Sequence, residues 1–252
     1  MDNDVEIIDF EELDLKGATV IAGFPSIGLV STIAANYLID ALNLKQIGSV
    51  KASEFPALSV VHTSEPLSPV RIYAGNYLER DKIVVFVSEF KPKPNLINYI
   101  SEAIMKWAVK KGCNMLISPE GMVVEGKAGD DESISDAYAI GSTTEARNLL
   151  LSKNIAQFKN GIIAGVSGVL LNMGKQENFN VISILAEAHP NYPDAKAAAA
   201  AINVISIIVD IDINVTPLYE ESERIEKQLQ KFHKQAKPMV STTRAPQPSM
   251  YG

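Results

Sequence analysis

A serine framed by glycines, a histidine after an apolar run and an aspartate ahead of an alanine-rich run are the residue types here that suit covalent chemistry. Ser167 stands in "GVSGV", one residue short of the G-x-S-x-G spacing that exposes a nucleophile on a strained strand–helix turn. A serine nucleophile needs a histidine to take its proton and an acid to orient that histidine. The chain has 3 histidines, His62, His189 and His233, and His189 in "EAHPNYPDAKAA" has Glu187 and Asp194 as neighbours. Ser167, His189 and Asp194 could gather at a strand end, where sites of α/β proteins lie. In the competing reading, His189 and Asp194 are turn residues ahead of the next helix. His62 follows Val60 and Val61 and is expected as a partly buried strand histidine.

Two further stretches have a chemical look. "GFPSIG" at 23–28 joins a strand to a helix, as phosphate loops do, but matches neither G-x-x-x-x-G-K-[ST] nor G-x-G-x-x-G. Pro25 also removes an amide donor, so a structural turn is expected. "SPEGMVVEGKAGDDESISD" carries Glu120, Glu125, Asp130, Asp131, Glu132 and Asp136 without the alternating oxygens of a calcium loop. It reads as a solvated acidic loop, with no metal and no cofactor implied.

The elements that must position these residues follow from periodicity. Residues 18–22 form an apolar strand, and Ser26 is the expected N-cap of a helix with Leu29, Val30, Ile33, Ala34, Tyr37, Leu38 and Ala41 at helical spacing. Strands are expected at 46–51, 58–62, 70–74 and 82–87, with "GNYLERD" as a hairpin connection. Pro94 opens an amphipathic helix that Gly112 stops, and "CNMLISPEG" is a buried strand holding the only cysteine, Cys113, as a structural thiol. Residues 122–136 read as a loop or hairpin, "TTEARNLLLSKN" as a short helix, and "GVSGVLLNMGKQEN" as a helix before the strand "FNVISILAEA". Asp194 caps "AKAAAAAINVISIIV", rich in the best helix former. Strands alternating with helices predict a three-layer α/β sandwich around a central mixed sheet.

The chain has 252 residues, 46% of them hydrophobic and 21% charged, enough for one large α/β domain spanning residues 1–236. A net charge of −7 argues against a nucleic-acid partner held by a general basic field. The acidic opening "MDNDVEIIDFEELDL" lacks the basic start of a signal peptide, and "AAAAAINVISIIV" is too short for a membrane span, so a cytoplasmic protein is expected. A last helix is expected at 216–236, with Thr216 as N-cap and Pro217 in its first turn. Leu218, Ile225, Leu229 and Phe232 form a narrow apolar seam on it, a candidate oligomer contact or a packing stripe for its own domain. Residues 237–252 are punctuated by Pro238, Pro246 and Pro248, read as a flexible tail, and end on Met250, Tyr251 and Gly252.

"VIAGFPSIGLVSTIAANYLIDALNLKQIGSV", followed by "FPALSVV", resembles the opening of archaeal members of the proteasome assembly chaperone family, in the branch related to the second eukaryotic assembly chaperone subunit. Gly23, Phe24, Pro25, Gly28 and Val30 carry the likeness. "GVSGVLL" and "VISILAEAHPNYPDAKAAAAAINVI" are similar to the family's second signature. The resemblance implies a fold similar to that of purine nucleoside phosphorylases, homo-oligomers, and no enzymatic activity, although some members have carried an ATP-grasp label. It also implies a role for Met250, Tyr251 and Gly252: hydrophobic-Tyr-any endings enter pockets between α subunits of the proteasome core particle. The expected function is thus proteasome assembly or gate opening. The alternative is a nucleotide-binding or small-molecule enzyme of the phosphorylase, hydrolase or ATP-grasp-labelled kind.

Overall fold

Successive residues of one short strand enter two different cores. Val20 and Ala22 pack on one face of the sheet and Ile21 on the other, which is what an apolar run with both faces covered must do. The computed structural model describes residues 5–77, 81–123 and 137–222. In chain order they form β1 (Val5–Asp9), β2 (Thr19–Gly23), a 3₁₀ turn (Ile27–Leu29), α1 (Val30–Ala41), β3 (Lys45–Ala52), β4 (Val60–His62), β5 (Glu65–Leu67), β6 (Val70–Tyr77) and β7 (Asp81–Ser88). Then follow α2 (Pro94–Lys110), β8 (Met115–Met122), β9 (Ala137–Gly141), α3 (Thr144–Ser152), α4 (Gly165–Glu177), β10 (Asn180–Glu187) and α5 (Ala195–Val209). A further helical segment begins at 216 and is described to 222.

The main sheet has 8 strands in the order β1-β3-β6-β7-β2-β8-β10-β9. β7, β2, β8 and β10 run parallel, so their carboxyl ends share one edge. β1, β3 and β6 extend the sheet antiparallel on one side, and β9 closes the other. The mixed sheet of the sequence reading is therefore present. α1, α3 and α5 cover one face through Ala34, Leu38, Leu150, Ala198 and Ile202. α2 and α4 cover the other through Leu96, Ile100, Ile104 and Leu170. A side chain at Gly23 would put a Cβ 2.2 Å from that of Ala35, so α1 lies directly on β2 only because residue 23 is glycine. Cys113 is buried, and burial pushes its thiol up to about 11, as expected of a structural cysteine.

Several expectations need correction. The acidic start, to which no strand was assigned, forms edge strand β1 at residues 5–9, which Trp107 ties down by donating from Nε1 to Asp9 Oδ1 (2.9 Å). The strand expected at 58–62 shrinks to β4, paired with β5 in a hairpin outside the main sheet, and His62 there is exposed rather than partly buried. Ser26 does not cap α1 from the adjacent position. The 3₁₀ turn intervenes, with Gly28 and Leu29 at φ 61° and 52°, and Leu29 stays outside α1. Thr216 is not an N-cap but already helical, and Asn214 Oδ1 accepts from its amide (3.1 Å). Asp194 is the cap expected of it: Oδ1 accepts from Ala197 N at 2.9 Å.

Candidate functional site at the strand ends

Three polar side chains of β8 and α4 meet beneath the first turn of α4. Ser118 and Glu120 are two apart on β8, so both face the α4 side, where Leu116 joins the core that α4 covers. Ser167 enters from the first turn of α4, fully buried, with its hydroxyl against that of Ser118. Ser167 Oγ lies 2.6 Å from Glu120 Oε1, and Ser118 Oγ lies 3.5 Å from the carbonyl oxygen of Ala22 on β2. Burial pushes the Glu120 carboxyl up to about 7, against the opposing pull of the Ser167 hydrogen bond and the Lys91 charge. Glu120 was expected in a solvated loop; it is instead a half-buried strand residue. Of its expected companions, Glu125, Asp130, Asp131 and Glu132 lie outside the described residues, as does Asp136.

The turn between β2 and α1 closes over this cluster. Ser26 Oγ accepts from Ser31 N (3.2 Å) and from Gly121 N (3.3 Å), stitching the turn to β8. A Cβ on Gly121 would lie 2.0 Å from the Ile27 carbonyl oxygen, so β8 and the turn touch backbone to backbone. The Leu29 amide donates to Ser26 O (3.0 Å). The Leu29 and Ser31 amides, at the position where a phosphate loop would aim donors at a ligand, are thus spent within the protein.

The structure does not join Ser167, His189 and Asp194 as a triad. Ser167 faces Ser118 and Glu120. The His189 ring stacks on Tyr192 with centroids 3.9 Å apart, and its Nδ1 accepts from Asn191 N at 3.3 Å. That nitrogen is where a triad's acid would bind. Asp194 gives its oxygens to backbone amides instead, Oδ2 accepting from His189 N at 2.8 Å and Oδ1 from Ala197 N at 2.9 Å. The turn reading of His189 and Asp194 is the one the geometry shows. Among the described residues no group of three His, Cys, Asp or Glu side chains suits a metal ion.

The raised Glu120 carboxyl makes stability depend on pH with a definite sign. The folded protein holds this proton up to about 7 and the unfolded chain releases it near 4.5, so the contribution is full below 4.5 and lost as pH rises through 7. At about 1.4 kcal/mol per pH unit, wild type should lose about 2–3 kcal/mol between pH 4.5 and pH 8 relative to Glu120→Gln. Urea unfolding of both proteins across that range checks this, and parallel profiles would refute it.

Of the residues read from the sequence as partner or oligomer contacts, Leu218 is only 8% exposed and belongs to the core that α1, α3 and α5 cover. Ile225, Leu229, Phe232, Met250, Tyr251 and Gly252 lie outside the described residues. Among the described residues no helix is long and apolar enough to cross a membrane.

An eight-stranded mixed sheet flanked by helices is a fold this chain shares with known proteins. The PAC2 family profile matches residues 20–233, and the chain belongs to that family. An uncharacterised protein of Methanocaldococcus jannaschii is 28% identical over 249 residues, 98% of this chain and 99% of that one. The crystal structure of Pyrococcus furiosus PbaA, described as an archaeal homolog of proteasome-assembly chaperone, superposes with a TM-score of 0.78 at 29% identity, covering 93% of this chain and 99% of PbaA. P. furiosus PbaB, described as an archaeal proteasome activator, shares the fold with a TM-score of 0.80 at 22% identity, over 92% of this chain and 100% of PbaB.

Proposed function

We propose that this protein is a non-enzymatic proteasome-binding factor, an assembly chaperone or gate-opening activator that docks its C-terminal segment into the α ring of the core particle. The likeness to PbaA over nearly the whole of both chains carries the reading. The sequence supplies the means: Met250, Tyr251 and Gly252 match a hydrophobic-Tyr-any ending, on a proline-punctuated stretch from 237 that reaches ~50 Å if extended. Prolines limit the entropy lost on docking, Tyr251 offers a rigid amphipathic anchor, and Met250 adapts to an irregular groove. The burial and hydrogen bonding of Ser167, the candidate nucleophile of the alternative reading, support a binding role over a catalytic one.

The test is capture of purified core particle by the full-length protein and by a version lacking 250–252. Binding by the first and loss in the second is the expected result; equal binding would remove the tail from the reading, and no binding by either would remove the proteasome.

A single tail contact is weak, and several tails on one body gain by avidity. We place the subunit contact on the seam of Ile225, Leu229 and Phe232, because Leu218, the first member of that stripe, is consumed by its own domain. Light scattering should give an oligomeric mass for the wild type. Ile225→Glu with Leu229→Glu should lower that mass, since charges in an apolar seam are costly to bury. An unchanged mass would move the contact elsewhere.

A further inference from the structure

Asn160 alone among the asparagines of this chain precedes a glycine; every other precedes a residue with a side chain. That neighbour governs how stable an asparagine is. The amide nitrogen of the following residue can attack the asparagine's own Cγ and close a five-membered ring, and a side chain on that residue obstructs the approach. Glycine carries none, and its backbone turns most freely into the geometry of attack.

The fold leaves this pair open to solvent. Asn160 and Gly161 are both exposed, in the connection that runs from Gln157, beside β9, to the start of α4. Among the described residues nothing hydrogen-bonds to the Asn160 side chain or to the Gly161 amide. Ile162, next in the chain, is 95% exposed. The connection is held at its two ends. Phe158 N donates to Ala139 O (3.0 Å), and the Ile163 carbonyl packs so closely on α4 that a Cβ on Gly168 would lie 2.2 Å from its oxygen. The glycine itself is a packing demand. Gly161 sits at φ 153°, and a Cβ there would lie 2.3 Å from Cζ of the Phe158 ring. A residue that would shield Asn160 therefore cannot stand at position 161 unless that ring moves.

We propose that Asn160 is a self-modification site, converted through a succinimide with Gly161 to aspartate and isoaspartate in the folded protein. The Gly161 nitrogen loses its proton to solvent base and bonds to Asn160 Cγ. The Cγ–Nδ2 bond breaks, and the leaving nitrogen takes up a proton and departs as ammonia. Water, the sole co-reactant, then opens the ring. Cleavage between the ring nitrogen and Cγ gives aspartate. Cleavage between the ring nitrogen and the main-chain carbonyl carbon gives isoaspartate, whose main chain runs through Cβ and Cγ. Either product adds one negative charge to a chain whose net charge is −7. Isoaspartate also lengthens the main chain by one methylene between the anchored Phe158 and Ile163. The chemistry needs nothing from proteasome binding and stands or falls without it.

The full-length protein, held folded at pH 8 and then digested at mildly acidic pH, gives the rate through the masses of its peptides. A gain of about 1 Da should accumulate in the peptide containing Asn160, at a rate within roughly threefold of that in a synthetic peptide of residues 156–166, because an exposed connection opens at almost no free energy. The rate should rise with pH, since the attacking nitrogen must lose its proton. Electron-transfer fragmentation should find both aspartate and isoaspartate at position 160. Asn160→Gln should stop the gain, because its ring would be six-membered and closes far more slowly, and its unchanged circular dichroism would show that the fold is kept. A folded protein slower than that margin would show that the connection restrains the attack. An equal gain at the other asparagines would remove the selectivity, and a gain that persists in Asn160→Gln would place the reaction elsewhere. Each of these three results overturns the proposal.

Discussion

Tyr251→Ala should abolish most core-particle binding while leaving the fold and the oligomer mass unchanged. Among the described residues the cores are built from positions up to Tyr219, more than thirty residues before Tyr251. A buried tyrosine anchor typically accounts for about 2 kcal/mol or more at an interface, roughly 30-fold per tail, and the loss compounds when several tails bind one ring. Tyr251→Phe keeps the ring and removes only the hydroxyl, so it should cost about 0.5–1.5 kcal/mol per site. That ordering, alanine far worse than phenylalanine, separates a pocket anchor from a nonspecific apolar tail, for which the two would differ little. Surface-immobilised core particle and the three proteins suffice for the measurement. If gate opening is the outcome of docking, peptide hydrolysis by the core particle should follow the same order; if assembly is, the yield of α rings should. Wild-type affinity in Tyr251→Ala would show the ending to be incidental.

The central strands were legible because burial on both faces leaves a continuous apolar run, as in "VIA" of β2 and "VISILA" of β10. α5 was legible from its alanines and Asp194. The edges were not. β9, "AYAIG", is short and glycine-ended, and owes its strand state to pairing with β10 and to the segment whose Ala156 carbonyl accepts from Ala139 N (2.8 Å). β1 is read as a strand only once Val5 and Ile7 are known to reach the core that α2 covers. Its Glu6 and Asp9 suit an edge that must not pair with another chain. Positive φ at Leu29 is also invisible beforehand, because leucine rarely adopts it, and here the stitched turn imposes it.

At the strand ends the sequence left a triad and a turn reading open for His189 and Asp194, and the turn reading is the one the structure takes. Ser167 looked like a nucleophile because glycines flank it. Gly168 is there because a Cβ would lie 2.2 Å from the Ile163 carbonyl oxygen, a packing demand unrelated to an exposed elbow. Asp194 and His189 were within five residues of each other, and proximity in sequence served capping rather than proton transfer. Glu120 was misread because it sits at the border between an apolar run and a carboxylate-rich stretch. Only the alternation Leu116, Ser118, Glu120 along one face of β8 signals that it points inward.

The largest stability effect should come from a pair that no local pattern predicts. Arg71 on β6 is 4% exposed, and its guanidinium grips Glu89 with two hydrogen bonds, Nη1 to Oε2 at 2.9 Å and Nη2 to Oε1. Nε donates to the Tyr73 hydroxyl and Nη1 also to the Ser68 carbonyl, both at 3.1 Å, so the fork is filled. The pairing exists because β6 and β7 are antiparallel with Val70 opposite Ser88, which brings residue 89 back beside residue 71. Glu89→Ala leaves a buried guanidinium without its counter-charge. Buried pairs broken this way lose about 3–5 kcal/mol, and the lower end is expected because Glu89 is 33% exposed. Combining Glu89→Leu with Arg71→Met removes both charges and fills the space, so it should recover most of that loss. Urea unfolding of the wild type, the single variant and the double variant gives the comparison. A double variant no more stable than Glu89→Ala would mean that the loss came from the turn's geometry. A single variant within 1 kcal/mol of wild type would mean that Ser68 and Tyr73 alone satisfy Arg71.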